Sequence, residues 1–179
     1  YIDCLQKIET SEFTKYQCLL HLLRDTEKGW NPANAKDRLV IFSERIETLN
    51  WLKENIQTDL KLKSRQIQIL HGGMTDTEQQ EIVDNFGRLN DPIRLLLCSD
   101  VAAEGLNLHY FCHRLIHFDL PWSLMTFQQR NGRIDRFGQT EQPLIYWFAN
   151  QTKIEKIHGD LRILEILIRK ERQAYENLG

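Results

Sequence analysis

The chain contains neither G-x-x-x-x-G-K-[ST] nor G-x-G-x-x-G. The first absence removes the loop that holds the phosphates in P-loop ATPases, and the second removes the glycine turn on which a dinucleotide rests. A triphosphate therefore cannot be cradled here by this chain alone in either way. Also missing is any C-x-x-C pair, because Cys4, Cys18, Cys98 and Cys112 are scattered. That spacing argues against a zinc knuckle and a small disulfide framework, and predicts reduced, mostly buried thiols in an intracellular protein. No apolar run approaches the ~20 residues of a membrane-crossing helix, and no basic-then-apolar leader opens the chain, so no membrane partner is expected. The only methionines are Met74 and Met125, so Tyr1 is not expected to be a native start and the chain reads as a piece of a longer protein. An excess of one charge is absent too. The 23 Lys+Arg against 25 Asp+Glu give a net charge of −2, which excludes a uniformly basic nucleic-acid coat but not a local basic site. There is no internal repeat and no low-complexity tract.

What remains is the pattern of one globular domain whose 41% hydrophobic content suffices for a core. Phe13, Tyr16, Leu20 and Leu23 recur at i, i+3, i+7 and i+10, predicting a helix over about residues 12–28 that Gly29-Trp30-Asn31-Pro32 ends. Short apolar runs at 39–42, 67–70, 93–97, 115–118 and 144–148 have the length and residue types of buried strands. Helical patterns lie between them at Ile46/Leu49/Leu52/Ile56, at Ile82/Val83/Phe86 and over 123–136, the second opened by the capping box Thr75-Asp76-Thr77-Glu78. The alternation predicts an α/β fold with a parallel sheet covered on both faces. Ile154, Ile157, Leu161, Leu164 and Ile168 continue a helical spacing. The expected organisation is a helical extension and loop at 1–36, the α/β lobe at 37–150, and a long helix packed on it at 151–179. His109, His113 and His117 would align as metal ligands on a helix, but 115–118 reads as a strand, so no metal site is predicted.

In an open parallel sheet, ligands sit beyond the carboxyl ends of the strands. The chain carries there Gln128-Gln129-Arg130-Asn131-Gly132-Arg133-Ile134-Asp135-Arg136-Phe137-Gly138-Gln139. On a continuous helix Gln129, Arg133 and Arg136 would share one face, with Asp135 off it. Two readings stand: an anion site between the guanidiniums, or a solvated basic helix. Gly132, costing ~1 kcal/mol inside a helix, predicts close packing.

These residues resemble a known family. Gln129-Arg130-x-Gly132-Arg133-x-x-Arg136 is similar to motif VI of superfamily 2 helicases, and the following Phe137-Gly138-Gln139 to its Swi/Snf-type remodelling and translocating ATPases. The segment 99–108 resembles their motif V, Asp119-Leu120-Pro121-Trp122 the block joining the two motifs, Val40-Ile41-Phe42-Ser43 motif IV, and His71-Gly72-Gly73-Met74 the loop after the next strand. The resemblance runs from about Arg38 to Phe148, and Gly-Arg-Ile-Asp-Arg is most similar to the bacterial branch that includes an ATPase recycling RNA polymerase.

The resemblance implies the second of two RecA-like lobes, with ATP and magnesium held mainly by a first lobe belonging to the same full-length protein. It implies that Arg133 and Arg136 are arginine fingers, worth ~10³ to 10⁵ in rate, and that Gln129 fixes the nucleotide or the contact between lobes. Gly105 would permit close backbone approach, and Asn107 stands where relatives often place an Asp that touches the ribose. Glu104 replaces an Arg common in DEAD-box relatives, which weakens an RNA-helicase reading. Ser43, Ser99 and the backbone of Gly72 and Gly73 would hydrogen-bond nucleic-acid phosphates, and a helix cap is an equal reading for Ser43. Trp122 is expected to be a packing anchor rather than a base wedge. The implied activity is DNA-dependent ATP hydrolysis driving movement along double-stranded DNA, in the cytoplasm or nucleoid of a bacterium, with RNA polymerase or another protein–DNA complex as partner. The alternatives are a lobe of another superfamily 2 helicase, acting on RNA or DNA, and a non-catalytic lobe that docks a partner.

Overall fold

A computed structural model describes residues 10–25, 29–100 and 107–148, together with residues 162, 165, 166, 168, 169 and 173. The chain divides into a unit ending at Asn31 and a larger one beginning at Pro32. In the first, helix α1 (Thr14–Arg24) buries Tyr16, Leu20 and Leu23 of the expected stripe, together with Leu19, whereas Phe13 is the exposed residue at its N-cap. It stops at Arg24 because Asp25 turns extended, at ψ 138°.

The larger unit runs β1 (Arg38–Phe42), α2 (Ile46–Asp59), a 3-10 turn at Ser64–Gln66, β2 (Ile67–Leu70), α3 (Asp76–Phe86), β3 (Leu95–Cys98), β4 (Cys112–His117), α4 (Leu124–Asn131) and β5 (Leu144–Trp147). The five strands form one sheet in the order β2-β3-β1-β4-β5, and every pair is parallel. This is the expected α/β architecture with flanking helices. Central β1 is buried at every position, as an inner parallel strand covered on both faces must be, whereas edge strand β5 is only half-buried. Val40, Phe42, Leu96, Cys98 and Leu115 share one face with Val83 and Phe86 of α3 and with Leu108 and Ile134 from loops. Alternation sends Leu39, Ile41, Leu95 and Leu97 to the other face. The buried stripe Leu49, Leu52 and Ile56 of α2 lies against β2 and β3. Thr75 caps α3 with the full reciprocal box: its hydroxyl accepts from the Glu78 amide at 3.3 Å, and the Glu78 carboxylate accepts from the Thr75 amide at 2.9 Å.

Strand β4 begins three residues before the apolar run that predicted it, at Cys112 instead of Leu115. His113 and Arg114 can occupy the strand because both meet Asp37: Arg114 Nε stands 2.7 Å from Oδ1 and His113 Nε2 4.0 Å from it. Arg38 is fully buried at the start of β1, donating to the carbonyls of Ala35, Asn85, Phe86, Arg88 and Asp91. The guanidinium thus satisfies carbonyls left open at the end of α3, and burial lowers its pKa to about 10. Burial pushes the Cys112 thiol up to about 12 and Cys98 well above its ordinary value, so both are inert, whereas Cys18 is exposed. Cys4 and the segment 101–106, with Glu104 and Gly105, lie outside the described residues. The six described residues between 162 and 173 are helical, and the packing expected of 151–179 is not described. Among the described residues no helix is long and apolar enough to cross a membrane.

Candidate functional site

Because all strands run the same way, the loops after β2, β3, β1 and β4 line one edge of the sheet in that order. They carry Gly72 and Gly73, then Ser99 and Asp100, then Ser43, then Asp119. Gly72 and Gly73 are exposed, and the Gly73 amide donates to His71 Nδ1 at 3.1 Å. Ser99 is 6% exposed, and its hydroxyl has no hydrogen-bond partner among the described residues. Ser43 is fully buried, and its hydroxyl donates to Asp119 Oδ2 at 2.6 Å. The N-cap of α2 is Arg45, without a side-chain bond, so Ser43 is not the helix cap. Nor is its hydroxyl open: an ionised carboxylate outcompetes weaker acceptors for it, and the same carboxylate accepts from the Glu44 amide at 3.1 and 3.2 Å.

Beneath this edge lies a polar cluster that apolar patterning could not reveal. Arg130 is 2% exposed. It grips Asp100 in bidentate fashion, Nε to Oδ1 at 2.5 Å and Nη2 to Oδ2 at 2.8 Å. Its Nη1 donates to the Asp119 carbonyl at 2.9 Å, and the guanidinium lies 5.4 Å from the centre of the Phe42 ring. His117 completes the cluster, its Nε2 donating to Asn131 Oδ1 at 2.8 Å and its Nδ1 facing Arg130 Nη1 at 3.4 Å. One side chain of α4 thereby joins the ends of β3 and β4, and Asp119 carries the connection to Ser43 after β1. The available signal was an acid two residues beyond each of β3 and β4, with an arginine downstream and no solvent-facing pattern to explain it.

The ring of His117 is neutral, because burial first and the Arg130 charge besides lower its pKa to about 4, against the opposing hydrogen bond to Asn131. The unfolded chain, with an ordinary histidine near 6.5, binds the extra proton first. Stability is therefore full above about pH 6.5 and falls as pH drops toward 4, by about 2 kcal/mol between pH 7 and 4.5. Urea unfolding of His117→Gln should show that much less dependence over this window. An unchanged profile would assign the acid sensitivity elsewhere, to His109 and His113 first, whose pKa values burial also lowers.

The arginine segment differs from its helical expectation. Helix α4 ends at Asn131 with Gly132 as its C-cap, so Gln129, Arg133 and Arg136 do not share a helix face. The chain tightens instead: the Arg133 amide bonds to Arg130 O at 3.1 Å and the Ile134 amide to Asn131 O at 3.1 Å, which drops Ile134 into the core. Gly132 does not serve close packing either, since an added Cβ would stand 3.4 Å from Gln128 O; it ends the helix. Gln129 is exposed on the last turn of α4 and Arg133 is half-buried, its carbonyl accepting from the Leu108 amide at 3.1 Å. Arg136 is exposed and donates through Nη1 to Asn107 Oδ1, so two of the expected site residues meet. The partner is a neutral amide, and no carboxylate among the described residues lies within ion-pair range of Arg136. A permanently charged, outward-facing fork of this kind suits an anion. Trp122 corrects another expectation: Leu120 and Pro121 are buried, but Trp122 stands 75% exposed, so it is no packing anchor.

The helicase conserved C-terminal domain matches residues 14–138. RNA polymerase-associated protein RapA of Photobacterium profundum is 26% identical over 172 residues, covering 82% of this chain and 17% of that protein. The uncharacterized ATP-dependent helicase YqhH of Bacillus subtilis is 31% identical over 138 residues, covering 75% and 22%. The chain thus spans roughly a fifth of the length of these relatives. Among solved structures, the C-terminal part of the Fun30 ATPase domain superposes with a TM-score of 0.62 at 23% identity, covering 80% of this chain and 44% of that one. Domain 2 of the DEAD-box helicase Mss116p, bound to an RNA duplex, gives 0.53 at 23% identity, covering 65% and 43%. With its parallel sheet, its acid-anchored Arg130 and its exposed arginine turn, the chain belongs to the helicase conserved C-terminal domain family and has the RecA-like fold of a superfamily 2 C-terminal lobe.

Proposed function

We propose that the chain is the second motor lobe of an ATP-dependent, Swi/Snf-type enzyme that moves along double-stranded DNA. The observation that carries this reading is Arg136, exposed on its turn and held by neutral Asn107, with no carboxylate among the described residues in ion-pair range. ATP with magnesium, bound mainly by the first lobe, supplies the γ-phosphoryl group, on whose oxygens negative charge spreads during transfer. Arg136 and Arg133 donate to those oxygens across the cleft. Gln129 fixes the nucleotide or the contact between lobes, and Asn107 holds Arg136 when the lobes are apart, while Gly105 lets the backbone approach closely. Along the sheet edge, the Gly72 and Gly73 amides and the Ser99 hydroxyl hydrogen-bond backbone phosphates, fixing position without reading sequence. Ser43 contributes indirectly, by holding Asp119. RapA, a relative whose name records its association with RNA polymerase, supports that enzyme as the partner.

The reading is tested by ATP hydrolysis of the full-length protein with duplex DNA, with RNA and with neither. Stimulation by duplex DNA is expected, together with no hydrolysis by the present chain alone. Stimulation by RNA in preference to DNA would move the protein to another helicase branch, and turnover by this chain alone would overturn the two-lobe arrangement.

A further inference from the structure

Gln139 follows the arginine turn, and its side chain makes five hydrogen bonds. Its Nε2 donates to Cys112 O at 2.9 Å and Ile134 O at 3.1 Å, with His109 O at 3.5 Å. Its Oε1 accepts from the Thr140 and Glu141 amides at 3.1 and 3.2 Å. Cys112 is the first residue of β4, and Ile134 lies between Arg133 and Arg136. A single carboxamide thus ties the turn to the sheet from inside, while its own backbone amide closes the turn on Arg136 O at 3.1 Å. At the tip, Arg136 and Phe137 are left exposed, and Gly138 takes φ +96°, a conformation that suits glycine. The turn is short and lies outside any helix.

We propose that Gln139 is a positioning residue for Arg136: it sets where that guanidinium stands without touching the nucleotide. The proposal rests on the finger reading above. A displacement of about 1 Å at a group acting in the transition state costs about 10²-fold in rate. Gln139→Glu keeps the acceptor, but replaces the donor with an oxygen facing three carbonyls.

In the full-length protein, Gln139→Glu should lower kcat for DNA-stimulated ATP hydrolysis by about 10- to 100-fold, leaving KM for ATP and duplex affinity within about twofold. Thermal melting reports whether each variant is folded, and Gln139→Ala provides a second arm. Combined with Arg136→Ala, either substitution should add little further loss, because both act through the same guanidinium. An unchanged kcat in folded Gln139→Glu, or losses that multiply in the double variant, would overturn the positioning role while leaving the finger reading intact. An unchanged kcat in Arg136→Ala alone would overturn both.

Discussion

Arg136→Ala in the full-length protein is expected to lower DNA-stimulated ATP hydrolysis by about 10³-fold or more, the usual worth of an arginine supplied across a cleft. On the proposed finger role the loss belongs in kcat, because the guanidinium would meet charge that grows only as the phosphoryl group transfers. The site makes this a clean measurement. Arg136 is exposed and bonded to a neutral amide, with no described carboxylate in ion-pair range, so its removal strands no buried charge and should leave folding stability within about 0.5 kcal/mol. Arg136→Lys should recover little, since a single ammonium lacks the planar fork. Hydrolysis at the wild-type rate in Arg136→Ala would remove Arg136 from the mechanism.

The opposite balance is expected three residues before Arg133. Arg130→Met keeps most of the volume but leaves Asp100 and the Asp119 carbonyl without their buried donor, and breaking such a pair costs about 3 to 5 kcal/mol. The lower end applies, because the Asp100 and Asp119 side chains are 28% and 31% exposed and water can reach them. Urea unfolding should therefore show Arg130→Met destabilised by about 3 kcal/mol. A loss under about 1 kcal/mol would mean that the cluster is held by packing on Phe42 rather than by its charges. Two arginines in one motif thus separate by experiment: one acts on rate with little effect on stability, the other chiefly on stability.

The inner strands were legible because a parallel strand covered on both faces is apolar along its length, as in Leu39–Phe42 and Leu95–Cys98. The start of α3 was legible because its capping box is written in consecutive residues. What escaped the sequence depended on partners far along the chain. Arg114 sits in β4 because Asp37 awaits it, and Arg130 is buried because Asp100 and Asp119 do. The helical spacing of Gln129, Arg133 and Arg136 was misleading because burial of Ile134 bends the chain after Gly132, a tertiary demand that outweighs local periodicity. Arg136 and Asn107 were each chosen from motifs, but no spacing over 29 residues could say that they touch.

The two deeply buried guanidiniums hold opposite ends of the sheet with different kinds of counter-charge. At the amino end, Arg38 is met by carbonyl dipoles, which carry no proton and do not titrate in water. At the carboxyl end, Arg130 is met by two acids and by a histidine that charges near pH 4. Acid therefore adds a charge beside Arg130 at the carboxyl edge, whereas the carbonyls that hold Arg38 have no proton to gain.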